Sequence, residues 1–265
     1  MTFTPKNINK LVKKGLTYEE LAEEFDEPFN LAMELLQARG LNLVKQNDHY
    51  WFETAVLPMD QTTFCVVDIE TNGSKPQKHQ IIEIGAIKIY NRQIIDRFES
   101  FVHCDNISVH ISEITGITVE DTFNAPPLKK VLEDFRMFLG TSVFIAHDVK
   151  FDYSFISAMM ERAGLSSLMN RSLCTIDLTE RTISSYRYGL AYLNEQLELY
   201  KEATHHRALS DAITTAKLFK RTLQFIPETV VTTEDLIRFS KEAKRLKRPK
   251  FDPRMKSHEN GFNKK

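Results

Sequence analysis

The chain has 265 residues, 42% hydrophobic and 27% charged, with a formal net charge of −1. This is ordinary globular composition, long enough for one large domain or a medium domain with an appendage, and it excludes disorder over most of the length. The near-neutral balance excludes a global attraction to a polyanion, so such a partner must be met by local basic patches or bound cations.

Cys65, Cys104 and Cys174 are odd in number and far apart, with no C-x-x-C pair. They read as buried thiols of a reducing cytoplasm rather than a disulfide framework or zinc site. The N-terminus MTFTPKNINKLVKKG has no apolar core of a secretory signal, and no apolar run approaches membrane-spanning length. A cytoplasmic protein with no membrane partner is expected.

Residues 1–58 predict a small winged-helix-like module. Thr17 and Glu20 have capping-box spacing before Leu21, Ala22 and Phe25. A second helix is expected from Pro28 to Arg39, stopped by Gly40. LNLVKQNDHYWFE then alternates as two strands joined at Gln46-Asn47-Asp48. Its second helix carries two Glu and one basic residue, and residues 1–60 hold six basic against ten acidic side chains. Phosphate contacts need Lys and Arg, so protein docking or packing is favoured over groove reading.

Residues 59–228 alternate strand and helix patterns. TTFCVVDIE is an apolar run of buried-strand length; IIEIGAIKIY and QIIDRFESFV, joined at Asn91-Arg92, suit an antiparallel meander. LKKVLEDFRMFL is an amphipathic helix, VFIAH a short buried strand, and FDYSFISAMMERAG a helix ended by Gly164. YLNEQLELY and HRALSDAITTAKLFKRTL supply two more helices, which makes an α/β layered fold with a mixed sheet. Residues 229–265 begin with a helix (EDLIRFSKEAKRL) and pass into a basic tail expected to be flexible, with ten basic against three acidic residues over 241–265.

Asp68 and Glu70 interrupt the apolar run VVDIE at i and i+2, so a strand places both carboxylates on one face. Like charges there resist desolvation unless a cation lies between them. Asp152 stands where a helix is expected to begin, which also suits an N-cap aspartate. Asp211 lies in line with Ala208, Ala212 and Ala216, small residues that let a helix approach its neighbour, and His206 is five residues earlier near the helix start. Four carboxylates and one imidazole suit two divalent cations, Mg²⁺ or Mn²⁺, about 4 Å apart, for in-line attack of water on a phosphodiester. A histidine titrating near neutrality is matched to accept the water's proton.

Together the motifs Val67-Asp68-Ile69-Glu70-Thr71-Asn72-Gly73, Ile81-Ile82-Glu83-Ile84-Gly85-Ala86, Thr115-Gly116-Ile117-Thr118, Ala146-His147-Asp148-Val149-Lys150-Phe151-Asp152 and His206-Arg207-Ala208-Leu209-Ser210-Asp211 resemble the DnaQ-like, DEDDh branch of 3′→5′ exonucleases. Within it they are most similar to the proofreading (epsilon) subunits of bacterial replicative DNA polymerases, over about residues 62–224. The resemblance implies an RNase H-like fold with a sheet of about five strands flanked by helices. It implies Asp68, Glu70, Asp152 and Asp211 as ligands of two metals and His206 as general base. It further implies that Thr71 and the segment around Thr115 contact the terminal nucleotide. One departure is Asp148, where the family commonly has Asn.

The expected activity is DNA 3′→5′ exonuclease in proofreading or repair, with a single-stranded or frayed DNA 3′ end as substrate. A replicative polymerase subunit or sliding clamp would be the assembly partner, docked through the N-terminal module or the tail. An exoribonuclease of the ribonuclease T or oligoribonuclease kind is the alternative, and a non-catalytic tethering subunit a third. Gln196-Leu197-Glu198-Leu199-Tyr200 superficially resembles a clamp-binding peptide but reads as core packing with Leu193.

Overall fold

The computed structural model describes residues 5–252. The first module holds α1 (Pro5–Lys13), α2 (Tyr18–Ala22), α3 (Phe29–Ala38) and a hairpin of β1 (Leu43–Gln46) and β2 (His49–Phe52). The Thr17–Glu20 capping box is formed, Glu20 N donating to Thr17 Oγ1 at 3.2 Å and Thr17 N to Glu20 Oε2 at 3.1 Å. The hairpin turns on Asn47 and Asp48, both left-handed, which matches the right-handed twist of the strands. Leu16 bridges to Tyr50, and Leu11, Leu21, Leu36, Leu41 and Phe52 close a separate small core.

The module is fastened to the remainder by polar contacts. The short α4 (Glu53–Val56) follows the hairpin, and Thr54 Oγ1 donates to Glu234 Oε1 at 2.9 Å. Glu234 also takes both arms of Arg171 at 2.6 Å, while the Met169 amide donates to the Arg39 carbonyl.

The remaining chain runs β3 (Phe64–Thr71), β4 (Ile81–Tyr90), β5 (Gln93–Phe101), α5 (Val109–Thr115), α6 (Val119–Phe123), α7 (Leu128–Leu139), β6 (Val143–Ala146), α8 (Val149–Arg162), β7 (Ser172–Cys174), α9 (Thr175–Thr182), α10 (Leu190–Leu197), α11 (Ala208–Thr222) and α12 (Thr233–Glu242). The strands form one mixed sheet in the order β5-β4-β3-β6-β7. β5, β4 and β3 are the expected antiparallel meander, and β3-β6-β7 pair in parallel. Asn91 and Arg92 make the β4–β5 turn, again left-handed at both positions.

Alternation along β3 decides the layers. Cys65, Val67 and Ile69 face α7 and α8, packing with Phe135, Phe155 and Met159. Phe64 and Val66 face the other way, onto Ala212, Ala216 and Phe219 of α11 and Leu236 and Ile237 of α12. Both faces are covered, which is why β3 reads as a continuous apolar run. Asp68 and Glu70, continuing the even series, belong to the α11 side.

Three expectations need adjustment. α8 starts at Val149, so Asp148 is the N-cap and Asp152 lies inside the first turn; Asp152 is not a cap. The helix expected over 192–200 ends at Leu197, with Glu198 left-handed; Leu197 and Leu199 still pack against Leu193. The basic stretch beyond α12 is held in place as far as Asp252. Arg245 pairs with Glu180, the Leu246 amide bonds the Glu180 carbonyl, and Tyr192 Oη donates to Asp252. The rest of the expected flexible tail, residues 253–265, lies outside the described residues. Among the described residues no helix is long and apolar enough to cross a membrane.

Candidate active site

The C-terminal end of β3 and the N-terminal turns of α8 and α11 bring the predicted carboxylates together. Asp68 and Glu70 are partly exposed, Asp152 is 4% exposed and Asp211 8%. α11 comes this close because its contact face is Ala208, Ala212 and Ala216, all fully buried. Gly85 of β4, the partner of Asp68 in the ladder, removes the last obstacle. A Cβ there would lie 2.2 Å from the Leu209 backbone nitrogen.

The acids at this end of the sheet act on one another electrostatically. Burial, and then the charges of Asp152, Asp211, Glu70 and Glu83, push the Asp68 carboxyl well above the usual range. Burial and the charges of Asp211, Glu83 and Asp152 push Glu70 up to about 8. Asp152 also rises to about 8, by burial, although backbone amides including that of Ile69 work against it. Carboxylates raised by desolvation and mutual repulsion are a site short of positive charge.

The His206 amide donates to Asp211 Oδ2 at 2.9 Å, and one ligand atom from each of Glu70, His206 and Asp211 lie within 4.8 Å of one another. His206 is exposed and left-handed (φ 62°), a conformation for which His is among the more tolerant residues. Oxygen donors with a single imidazole fit a hard divalent cation, Mg²⁺ or Mn²⁺, better than a soft one. A cleft of about 970 Å³ opens from His206 and Asp211 along α10, with Arg187, Tyr192 and Tyr200 on its walls.

Several neighbours had no role assigned from sequence. Glu83, 1% exposed and opposite Glu70 in the ladder, accepts from the Ala208 amide at 2.9 Å and from Arg207 Nη2 at 2.8 Å. It thereby fixes the first residue of α11 and the residue after His206; the signal was a charged residue inside the apolar run IIEIGA. His205 Nδ1 stands 3.4 Å from Asp211 Oδ1, so both members of the His205-His206 pair reach the same carboxylate. His147 is structural: Nδ1 meets Thr175 Oγ1 at 2.9 Å and Nε2 meets the Tyr188 carbonyl at 2.8 Å, and burial lowers its pKa.

Asp148 is exposed and left-handed (φ 83°), a backbone state that Asn and Asp both tolerate. Thr71 lies at the end of β3, beside Glu70 and just past a register shift. Thr115 is 5% exposed, and its hydroxyl is spent on the Ile111 carbonyl and the Ile117 amide. Its side chain therefore shapes the α5 turn.

A family profile described as Exonuclease (RNase T) matches residues 65–219. PolC-type DNA polymerase III from Staphylococcus aureus is 33% identical over 181 residues, covering 68% of this chain, and that from Staphylococcus haemolyticus is 34% identical over 176 residues. This chain spans 12% of the length of those relatives. Among solved structures, exonuclease X in complex with 5′-overhanging duplex DNA matches with TM-score 0.53 and 22% identity, over 67% of this chain and 99% of that one. Escherichia coli exonuclease I with a dT13 oligonucleotide matches with TM-score 0.56 and 15% identity, over 62% and 42%. The mixed five-stranded sheet, the helices on both faces and the matched span agree: the chain belongs to the RNase T exonuclease family, a DnaQ-like nuclease on the RNase H-like fold.

Proposed function

We propose that the protein is a 3′→5′ exodeoxyribonuclease that releases 5′-mononucleotides from a single-stranded or frayed DNA 3′ end. The observation that carries this is the convergence of Asp68, Glu70, Asp152 and Asp211 at one strand end under an exposed imidazole. These carboxylates would hold two divalent cations, Mg²⁺ or Mn²⁺. Bound there, such ions supply Lewis acidity for water and phosphate and the positive charge that the raised carboxyl pKa values call for. His206, at the open rim of the cleft, accepts the proton of the attacking water and passes it to solvent. Asp211 orients that residue through the His206 amide, and Glu83 with Arg207 holds the entry to α11 from below. Thr71 and the α5 turn flank the terminal nucleotide.

Kinship with PolC-type polymerases and likeness to exonucleases solved with DNA support DNA as substrate. The PolC kinship also supports a proofreading role beside a replicative polymerase or its clamp; on this reading, in the cytoplasm, residues 1–58 are the docking module, 59–228 the nuclease and 229–265 its C-terminal extension. The test is hydrolysis of matched 5′-labelled DNA and RNA oligonucleotides with Mg²⁺, Mn²⁺ or EDTA, beside Asp211→Ala. A single-nucleotide ladder on DNA, absent with EDTA and in the variant, is expected. A ladder on RNA alone would replace this reading with an exoribonuclease, and no ladder from folded, metal-loaded protein would leave a tethering role.

A further inference from the structure

A second concavity of about 350 Å³ lies along the C-terminal half of α11, lined by Arg92, Lys217, Lys220 and Arg221, with Glu198 as its one acid. Among the described residues, none of the four cations is paired with a carboxylate. Lys217 sits over the Tyr200 ring at 4.4 Å, and Arg221 bonds Gln224 and stacks on Phe225. Four converging cations in a chain of net charge −1 are a local concentration that self-repulsion opposes, and a polyanion relieves it.

The concavity borders the catalytic cleft. Glu198 lines both, and Tyr200, which carries Lys217, is also a wall of the cleft. Asp211, Lys217 and Lys220 are on the same helix, so at 1.5 Å per residue the cations lie about 9 to about 14 Å along it from Asp211. At a stacked rise of 3.4 Å per nucleotide that is about three to four nucleotides, and fewer where the strand is extended.

We infer that Arg92, Lys217, Lys220 and Arg221 form a phosphate track for the strand upstream of its 3′ end, giving the enzyme a preference for substrates longer than about four nucleotides. This rests on the exonuclease reading above, and it adds where the body of the strand lies.

The test uses the full chain and an Arg92→Gln/Lys220→Gln/Arg221→Gln variant, all three side chains being exposed, with Lys217→Gln made separately because it packs on Tyr200. Thermal melts establish that each variant is folded. Hydrolysis of a dinucleotide and of an oligothymidylate of about 20 nucleotides is followed over a KCl series; removing three phosphate contacts should flatten the salt slope for the long substrate by about 2. Its kcat/KM should fall about 10-fold through KM, with dinucleotide hydrolysis within about 2-fold of the parent. An unchanged ratio of long to short substrate and an unchanged salt slope would overturn the track.

Binding of the fluorescein-labelled long oligonucleotide in Ca²⁺ separates this result from the nuclease reading itself. If the parent cleaves neither substrate, the anisotropy alone decides, and weakened binding by the triple variant still supports the track. Retained oligonucleotide binding with lost binding of a polyglutamate peptide would instead make the concavity a docking surface for an acidic protein segment, and would overturn it.

Discussion

Gly85→Ala tests whether close approach of α11 to β4 sets the catalytic geometry. The added methyl carbon would lie 2.2 Å from Leu209 N, 2.3 Å from the Ala208 carbonyl carbon and 2.5 Å from Leu209 Cα, all backbone atoms of the first turn of α11. Non-bonded carbon contacts settle near 3.5 Å, so the helix start must retreat by about 1 Å. Overpacking of this kind costs about 1–3 kcal/mol, a fall in Tm of about 3–10 °C for a chain this size. Asp211 is three residues into the same turn, and a displacement of about 1 Å at a catalytic group can cost about 100-fold in rate. Melting curves and the DNA ladder assay, run side by side, give both quantities. Parental rate with parental Tm would refute the close-approach argument; a lowered Tm with parental rate would show that α11 moves without carrying Asp211 out of place.

Other outcomes follow from the same contacts. Glu70 and Asp152 hold protons more tightly folded than unfolded, so their stabilising contribution is full below about pH 4 and is lost as pH rises through about 8. In EDTA the Tm should therefore fall between about pH 5 and about pH 9 and be restored by Mn²⁺, and Asp152→Asn should raise the Tm in EDTA at about pH 8 while abolishing hydrolysis; a flat profile in EDTA would contradict this. His206→Ala should lower kcat by about 10²–10⁴-fold with Mn²⁺ affinity retained, and an effect confined to KM would remove it as the base. Glu83→Gln leaves the Arg207 guanidinium without its charge partner and should cost about 1–3 kcal/mol. In a double-mutant cycle with Arg207→Gln the two losses should fall short of additive, and strict additivity would mean that the pair does not act as a unit.

The meander and the Asp68–Glu70 pair were legible because period-2 alternation and an apolar run broken at two carboxylates are local signals, whereas Asp152 and Asp211, on helices, stand out only in combination with the other motifs. What escaped is set by tertiary contact. β7 is three residues long, and only its pairing with β6 makes it a strand. α9, TIDLTERT, lacks an apolar stripe. Its buried Thr175, Glu180 and Arg181 are satisfied from elsewhere, Arg181 donating to the Lys241 and Ala243 carbonyls. The strap to Asp252 has no periodicity because ion pairs to Glu180, not apolar packing, hold it. The start of α8 is obscure in sequence because its N-cap, the left-handed Asp148, makes no side-chain cap bond. Glu83 interrupts its apolar run but carries no sequence signal of its role, since its partner Arg207 is 124 residues away in sequence.

The most direct test of the site as one metal-dependent centre is an equilibrium Mn²⁺ titration by electron paramagnetic resonance, run on the parent chain and on Asp68→Asn with hydrolysis measured on the same samples. About two ions per chain are expected in the parent, with fewer bound and hydrolysis lost together in the variant while its fold is retained. Undiminished hydrolysis in Asp68→Asn, or in the parent stripped by EDTA, would contradict the assignment of these carboxylates as the catalytic centre.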